Sequence, residues 1–335
     1  MRRVGSLFDS IFEFENLRLA FAKAARGKRH QEVVRKFSSG LDSELKRMRT
    51  LALGGVLAVG NYHRFVIHDP KRRVIHACAF PERVLHHAIM NRCECVFDRS
   101  MIFDTYACRK GKGRLAGLER TRGFARRGGF FLKLDIRKFF ESISHETLKG
   151  QLGRLFKDEA LLALFGRMID SYEVEVGRGL PIGALTSQFF ANCYLNSLDR
   201  FAKESLKAKR YLRYMDDFAL WNESRDLLKD WKLQIESFLE NRLSLSLNDA
   251  WRLEACPEGM SFLGTRIFSA ASLVARRGRL RFAARLRVYE NAFCQGRLGE
   301  ADLQRRVSAL IAATDMAGDA RWRSIALSMG EVCDA

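Results

Sequence analysis

Tyr211-Leu212-Arg213-Tyr214-Met215-Asp216-Asp217-Phe218-Ala219-Leu220 sets two adjacent carboxylates between two short runs of aromatic and aliphatic residues. Such runs suit a pleated, half-buried surface, so the stretch predicts a strand, a tight turn carrying Asp216 and Asp217, and a second strand. Neighbouring aspartates repel one another and tend to take up a proton unless a cation compensates them, and a divalent metal is the usual cation. An isolated Asp-Asp pair is ordinarily a solvated turn. The rest of the chain has to decide between these readings.

The chain has 335 residues, 47% of them hydrophobic, enough for one large or two to three smaller subdomains with cores. Its formal net charge is +19, from 58 Lys and Arg against 39 Asp and Glu, which points to a polyanionic partner, nucleic acid more readily than membrane. The cysteines are scattered without a Cys-x-x-Cys pair, so the sequence indicates neither a zinc site nor a disulfide framework, and free thiols in a reducing cytoplasm are expected. Asp9, Glu13 and Glu15 come too early for a signal peptide, and the apolar run Leu51 to Gly60 is about half a membrane span. No membrane role is expected.

Residues 7 to 50 show helical spacing, as at Leu41, Leu45 and Met48, interrupted by basic clusters such as Arg26 to His30. Tyr62 to Ile67 predicts a strand, followed by a basic turn at Asp69 to Arg73 and a second apolar run, and Pro81 suits the first turn of a helix burying Val84, Leu85, Ala88 and Ile89. Arg109-Lys110-Gly111-Lys112-Gly113-Arg114 is a basic loop able to cradle phosphates or simply to be solvated. Phe130 to Asp135 predicts a buried strand ending in one acid, which alone could be a helix cap; a helix carrying Ile143 and Leu148 should follow.

Glycines crowd around a proline in Gly177-Arg178-Gly179-Leu180-Pro181-Ile182-Gly183, where the backbone can approach a ligand closely. Thr186 or Ser187 could cap the next helix, on which Gln188, Asn192 and Asn196 form a polar stripe open to a substrate. Leu228, Trp231, Ile235, Phe238 and Leu239 mark a later amphipathic helix; Leu243 to Leu247 predict a strand and Met260 to Phe268 a hairpin. Arg276, Arg277, Arg279, Arg281, Arg285 and Arg287 then open a basic helical end fit to grip a duplex backbone.

The order of these features carries more than any one of them. A strand-end acid, an acid pair on a hairpin about eighty residues later, a glycine-rich loop and helix between them and a basic helical end are the layout of a two-metal nucleotidyl transferase. That chemistry needs carboxylates from separate strands to hold two cations about 3.5–4 Å apart, one activating a 3′-hydroxyl and one stabilising the departing pyrophosphate.

Tyr214-Met215-Asp216-Asp217 resembles the signature of reverse transcriptases, and the resemblance extends from about Lys71 onward. It implies an α+β right-handed polymerase fold with fingers, an antiparallel palm and a small helical thumb. Residues 1–128 would form an N-terminal extension and fingers, 129–145 the first palm strand, 146–180 fingers and palm helices, 181–268 the palm with its catalytic and primer-grip hairpins, and 269–335 the thumb. It further implies two Mg²⁺ ions on Asp135, Asp216, Asp217 and the Ile136 carbonyl. Lys71 and Arg73 would hold the triphosphate of a deoxynucleotide, Phe140 would close under its sugar, and Ile182, Gly183 and Gln188 would line its site. Arg109, Lys110, the Phe262-Leu263-Gly264 hairpin, Arg276, Arg277 and Arg285 would hold template RNA and the RNA/cDNA duplex.

One departure is informative. Where many reverse transcriptases have glutamine before the glycine of the Leu-Pro-x-Gly loop this chain has Ile182, and Gly183-Ala184-Leu185-Thr186-Ser187-Gln188 follows, which is similar to the reverse transcriptases of diversity-generating retroelements. That likeness implies frequent errors opposite template adenine and a basic pentameric accessory variability protein. The loop Asn248 to Arg252 also lacks the lysine that can protonate pyrophosphate in related enzymes, and arginine is too weak an acid to replace it. Two other readings remain at this point: a retron-type or group II intron-like reverse transcriptase, and a non-catalytic RNA-binding protein on a polymerase scaffold.

Overall fold

The computed structural model describes residues 2–68, 72–314 and 320–328. Four helices, α1 (Phe8–Ile11), α2 (Phe14–Ala25), α3 (Glu32–Ser39) and α4 (Leu41–Leu53), lead the chain. Leu17, Ala20 and Ala24 on α2 and Leu45, Met48 and Ala52 on α4 are buried, the one-face stripes that a 3.6-residue period requires. Strands β1 (Tyr62–Ile67) and β2 (Arg73–Cys78) pair antiparallel from Tyr62↔Cys78 to Ile67↔Arg73. Helix α5 (Phe80–Ser100) begins with Pro81 in its first turn and buries the expected Val84, Leu85, Ala88 and Ile89, largely against α2.

After α6 (Arg114–Ala125), strand β3 (Phe130–Asp135) enters the centre of the molecule. Helices α7 (Phe139–Ser142), α8 (His145–Leu155), α9 (Glu159–Asp170), α10 (Leu185–Tyr194) and α11 (Asn196–Arg200) pack around it before the chain returns as β4 (Arg210–Tyr214) and β5 (Asp217–Asn222). With β6 (Arg252–Ala255), which follows α12 (Arg225–Phe238), they make a four-stranded antiparallel sheet in the order β4-β5-β3-β6.

Both faces of this sheet are covered, and the period of two along each strand divides its side chains between two cores. Leu132, Leu134, Phe218 and Leu220 join the large helical core, whereas Phe131, Ala219 and Trp221 join a second one that includes Met260 and Phe262. The second core continues into a three-stranded sheet, β7 (Met260–Phe262), β8 (Thr265–Ile267) and β9 (Ser272–Val274). The described chain closes with α13 (Arg276–Cys294), α14 (Glu300–Thr314) and α15 (Ala320–Ser328), the first two sharing a small core of Phe282, Leu286 and Leu310. The α+β architecture with an antiparallel central sheet is the polymerase fold expected from the sequence. No helix among the described residues is long and apolar enough to cross a membrane.

Several local expectations fail for identifiable reasons. The helix after Asp135 is two helices: Lys138 adopts φ 44° ahead of α7, and Ser144 Oγ accepts from the Thr147 N–H (3.3 Å) to start α8, leaving Ile143 in the break. Leu243–Leu247 is no strand, because Ser244 takes φ 51° and only Leu247 bridges to Ile136. The fourth strand is the short edge β6, whose four residues include the charged Arg252 and Glu254 and so show no apolar run. Neither Thr186 nor Ser187 caps α10, which starts after Ala184; Thr186 Oγ1 instead contacts His86 Nδ1 at 2.8 Å. Two of the three polar-stripe residues satisfy backbone instead: Asn192 is fully buried and donates to the Ala107 carbonyl, and Asn196 donates to that of Ser100. Among the described residues six cysteines are free thiols as expected, but Cys294 is disulfide-bonded.

Candidate active site

The pairing of β3 with β5 sets Asp135 directly opposite Asp217, and Lys133 opposite Ala219. Directly opposed residues project to the same face, so Asp135, Asp217 and Lys133 share the rim of the face that Phe131 and Trp221 bury further along. Asp216 lies in the two-residue turn between Tyr214 and Asp217. Such a turn needs a left-handed residue, and Met215 supplies it at φ 58°. The Ile136 N–H donates to the Asp216 carbonyl (3.3 Å), and Asn248 clamps Asp135 twice, N–H to its carbonyl (2.8 Å) and Nδ2 to Oδ2 (3.2 Å).

The site holds more negative charge than it can settle alone. Burial, then the charge of Asp135, pushes Asp216 up to about 6, while the charges of Arg73 and Arg213 pull it back. Burial pushes Asp217 up to about 7 despite Lys133, whose Nζ stands 3.2 Å from Oδ1. That Oδ1 is buried, and the Lys133 ammonium is the group that faces it. An oxygen-only donor set whose acids are raised by burial and by one another's charge fits hard divalent cations such as Mg²⁺.

Beneath the acids is a dry polar network that sequence reasoning missed. Arg213, Asp199, Tyr211, Thr105 and Asn192 are all 0% exposed. Arg213 makes a bidentate pair with Asp199 (Nε and Nη2, 2.7 Å each), and Tyr211 and Thr105 donate to the same carboxylate at 2.6 and 2.7 Å. The remaining guanidinium nitrogen, Nη1, donates to the Met215 carbonyl (2.9 Å) and to Asn192 Oδ1 (3.0 Å), holding the Met215–Asp216 turn from below. Lys133 was also missed, although its i, i+2 relation to Asp135 on a strand was a usable signal.

Arg73 opens β2 and its charge reaches Asp216, whereas Lys71 lies outside the described residues. The glycine-rich loop is tied to that strand, since the Ile182 carbonyl accepts from the His76 N–H at 2.8 Å. Gly183 has φ 127° and a Cβ there would stand 2.9 Å from the His76 oxygen, so only glycine lets the two segments approach so closely. Half-buried Phe140 is fastened to the same loop by the Leu180 N–H (2.7 Å), and Gln188 Oε1 accepts from Cys108 Sγ (3.3 Å).

The basic loop departs from expectation. Arg109 is turned into the protein, where it pairs with Asp98 (2.6 Å) and donates to the Ile102 and Thr105 carbonyls, so its role is structural. Lys110 is exposed and pairs with Glu94 at 3.0 Å. Leu263 and Gly264 form the β7–β8 turn with φ 48° and 76°, and Arg114 donates to the Leu263 carbonyl at 2.9 Å. An open groove of 520 Å³ runs from this turn along α13, lined by Arg114, Leu263, Gly264, Arg277, Arg281 and Arg285, with exposed Arg276 at the head of the helix.

A family model described as "Reverse transcriptase (RNA-dependent DNA polymerase)" matches residues 68–267. Protein YkfC of Escherichia coli (strain K12) is 23% identical over 60% of this chain and 65% of its own length. A COX1/OXI3 intron 2 protein of Saccharomyces cerevisiae is 19% identical over 55% of this chain and 29% of its own, so the chain spans less than two thirds of either relative. Among solved structures, the telomerase of Candida tropicalis with a TWJ fragment of telomeric RNA aligns with 82% of this chain and 56% of that one at 12% identity and TM-score 0.49.

Proposed function

The chain belongs to the reverse transcriptase family, and from that premise we propose that it is an RNA-templated DNA polymerase whose metal-binding acids are Asp135, Asp216 and Asp217. The observation that carries the reading is the register Asp135↔Asp217 with Asp216 in the adjoining turn, which gathers carboxylates from two strands at one rim. Two bound Mg²⁺ ions would activate the primer 3′-hydroxyl and neutralise the leaving pyrophosphate. The chain's own residues orient the parts: Asn248 fixes Asp135, Arg213 fixes the turn, and Lys133 tempers the charge on Asp217. Arg73, with Lys71, would meet the triphosphate; Phe140, Ile182, Gly183 and Gln188 would border the sugar and base. The groove between the β7–β8 turn and α13 offers Arg277 and Arg285 to the RNA/cDNA backbone. On this reading 1–128 is extension and fingers, 129–268 fingers and palm, and 269–335 thumb.

The finer assignment is a diversity-generating retroelement enzyme, working in the cytoplasm with a basic pentameric accessory protein. Ile182 supports it: an alkyl side chain cannot make the hydrogen bonds of an amide beside the nascent pair, which loosens the geometric check. A group II intron-like enzyme is the second reading, favoured by the similarity to yeast intron proteins. Primer extension on a defined RNA tests the activity. Asp216→Ala and Asp217→Ala should abolish extension while the fold and RNA binding persist, and an active double variant would refute the mechanism. Sequencing the cDNA, with and without the accessory protein, separates the two finer readings. Errors concentrated opposite adenine and reduced by Ile182→Gln support the retroelement assignment; evenly spread rare errors support the intron-like one.

A further inference from the structure

Cys78, Glu82 and His86 form a second cluster of potential ligands, away from the aspartates and unused by the chemistry above. Cys78 ends β2, and Glu82 and His86 are one turn apart on α5, so a strand end and one helix face bring a thiol, a carboxylate and an imidazole together. All three residues are buried, at 8%, 6% and 2% exposure. Their ligand atoms lie within 4.8 Å of one another.

The distances discriminate. Cys78 Sγ to His86 Nε2 is 3.4 Å and His86 Nε2 to Glu82 Oε1 is 3.5 Å. A tetrahedral Zn²⁺ with ordinary bond lengths has S···N and N···O edges of about 3.5 and 3.3 Å. As a hydrogen bond, in contrast, 3.5 Å from nitrogen to oxygen is too long. Sγ and Nε2 are within reach of a thiol–imidazole hydrogen bond, whereas the Glu82 oxygen stands beyond good bonding range of Nε2. Outer partners already fix two of the three groups, as metal sites require. The Glu82 oxygens accept from the Gly60 and Asn61 N–H groups at 2.9 and 3.0 Å, and His86 Nδ1 contacts Thr186 Oγ1 at 2.8 Å.

We propose that Cys78, Glu82 and His86 bind one Zn²⁺ ion, with water as the fourth ligand. The mixed sulfur, nitrogen and oxygen set selects a borderline-soft ion and disfavours Mg²⁺. Binding releases the Sγ proton to solvent and requires the ring proton on Nδ1, donated to Thr186 Oγ1 at 2.8 Å in place of the long bond of 3.4 Å that Nδ1 accepts from the Thr186 N–H. The ion would join β2, α5, the Gly60–Asn61 segment and the start of α10.

The test is metal analysis of the full-length protein after exchange with Zn²⁺, and separately with Co²⁺. Comparison with an Asp135→Asn/Asp216→Asn/Asp217→Asn variant removes any contribution of the aspartate site. The expected result is about one Zn²⁺ per chain in both proteins, and with Co²⁺ a thiolate-to-metal charge-transfer band. Cys78→Ser should lose that band and retain at least tenfold less zinc. If Cys78→Ser does not fold, the Co²⁺ spectrum of the unsubstituted protein decides alone. Zinc-free protein that takes up no Co²⁺ with a thiolate band, or zinc retained undiminished by folded Cys78→Ser, overturns the proposal. None of these readouts depends on polymerase activity.

Discussion

Replacing Asp217 by asparagine should stabilise the metal-free protein at pH 8. The side chain keeps its shape and loses its charge. Burial raises the folded-state value of Asp217 from 3.8 to about 7, so the folded protein holds a proton that the unfolded chain has released across that interval. Below about pH 4 both states are protonated and there is no penalty. As pH rises from about 4 to 7 the native state loses stability relative to the unfolded state, and above 7 the penalty is complete. Three pH units correspond to a ceiling of about 4 kcal/mol. Because the side chain is 22% exposed and Lys133 loses a partner at 3.2 Å in the variant, a gain of roughly 1–3 kcal/mol is the working figure. The assay is urea unfolding of parent and Asp217→Asn in a chelator at a series of pH values, reading the difference between them. An advantage that grows from pH 4 to pH 8 supports the reasoning. A variant no more stable than the parent at pH 8, or a difference independent of pH, refutes it. Adding Mg²⁺ should stabilise the parent more than the variant, and more at pH 8 than at pH 6.

Arg213→Met should cost about 3–5 kcal/mol in urea unfolding, because it strands the Asp199 carboxylate in a site with no exposure. The Arg213→Met/Asp199→Leu pair should recover much of that stability without restoring primer extension, since the Met215 carbonyl stays unheld. Gly183→Ala should cost about 1–3 kcal/mol, as a Cβ at φ 127° would press to 2.9 Å from the His76 oxygen, and in extension assays KM for the nucleotide should rise more than kcat falls.

Periodicity and turn chemistry were enough for what lies within short stretches. Both strands flanking Asp216 and the buried face of α5 are read directly from the order of residues, because each follows from a local repeat. The three acids were legible for a different reason: their residue types and order match a family signature. What escaped was settled across distance. No local pattern announces that Arg213 meets Asp199, that Asn248 reaches Asp135, or that Arg109 turns inward to Asp98. Breaks made by left-handed residues that are not glycine, at Lys138 and Ser244, were equally silent, since lysine and serine do not mark such backbone. The stripe of Gln188, Asn192 and Asn196 was visible, but polarity alone could not distinguish a face toward substrate from one that satisfies buried carbonyls.

The dry pairing of Arg213 with Asp199 also bears on how the protein reaches and leaves its native state. Neither charge can shed water before the other arrives without a cost of several kcal/mol, so β4 and α11 are expected to come together in one step. A contact that forms on the native side of the barrier slows unfolding without speeding folding, and Arg213→Met should then raise the unfolding rate far more than it lowers the folding rate. The expected result is slow unfolding out of proportion to equilibrium stability: a catalytic turn kept in place more by a rate than by a free-energy difference.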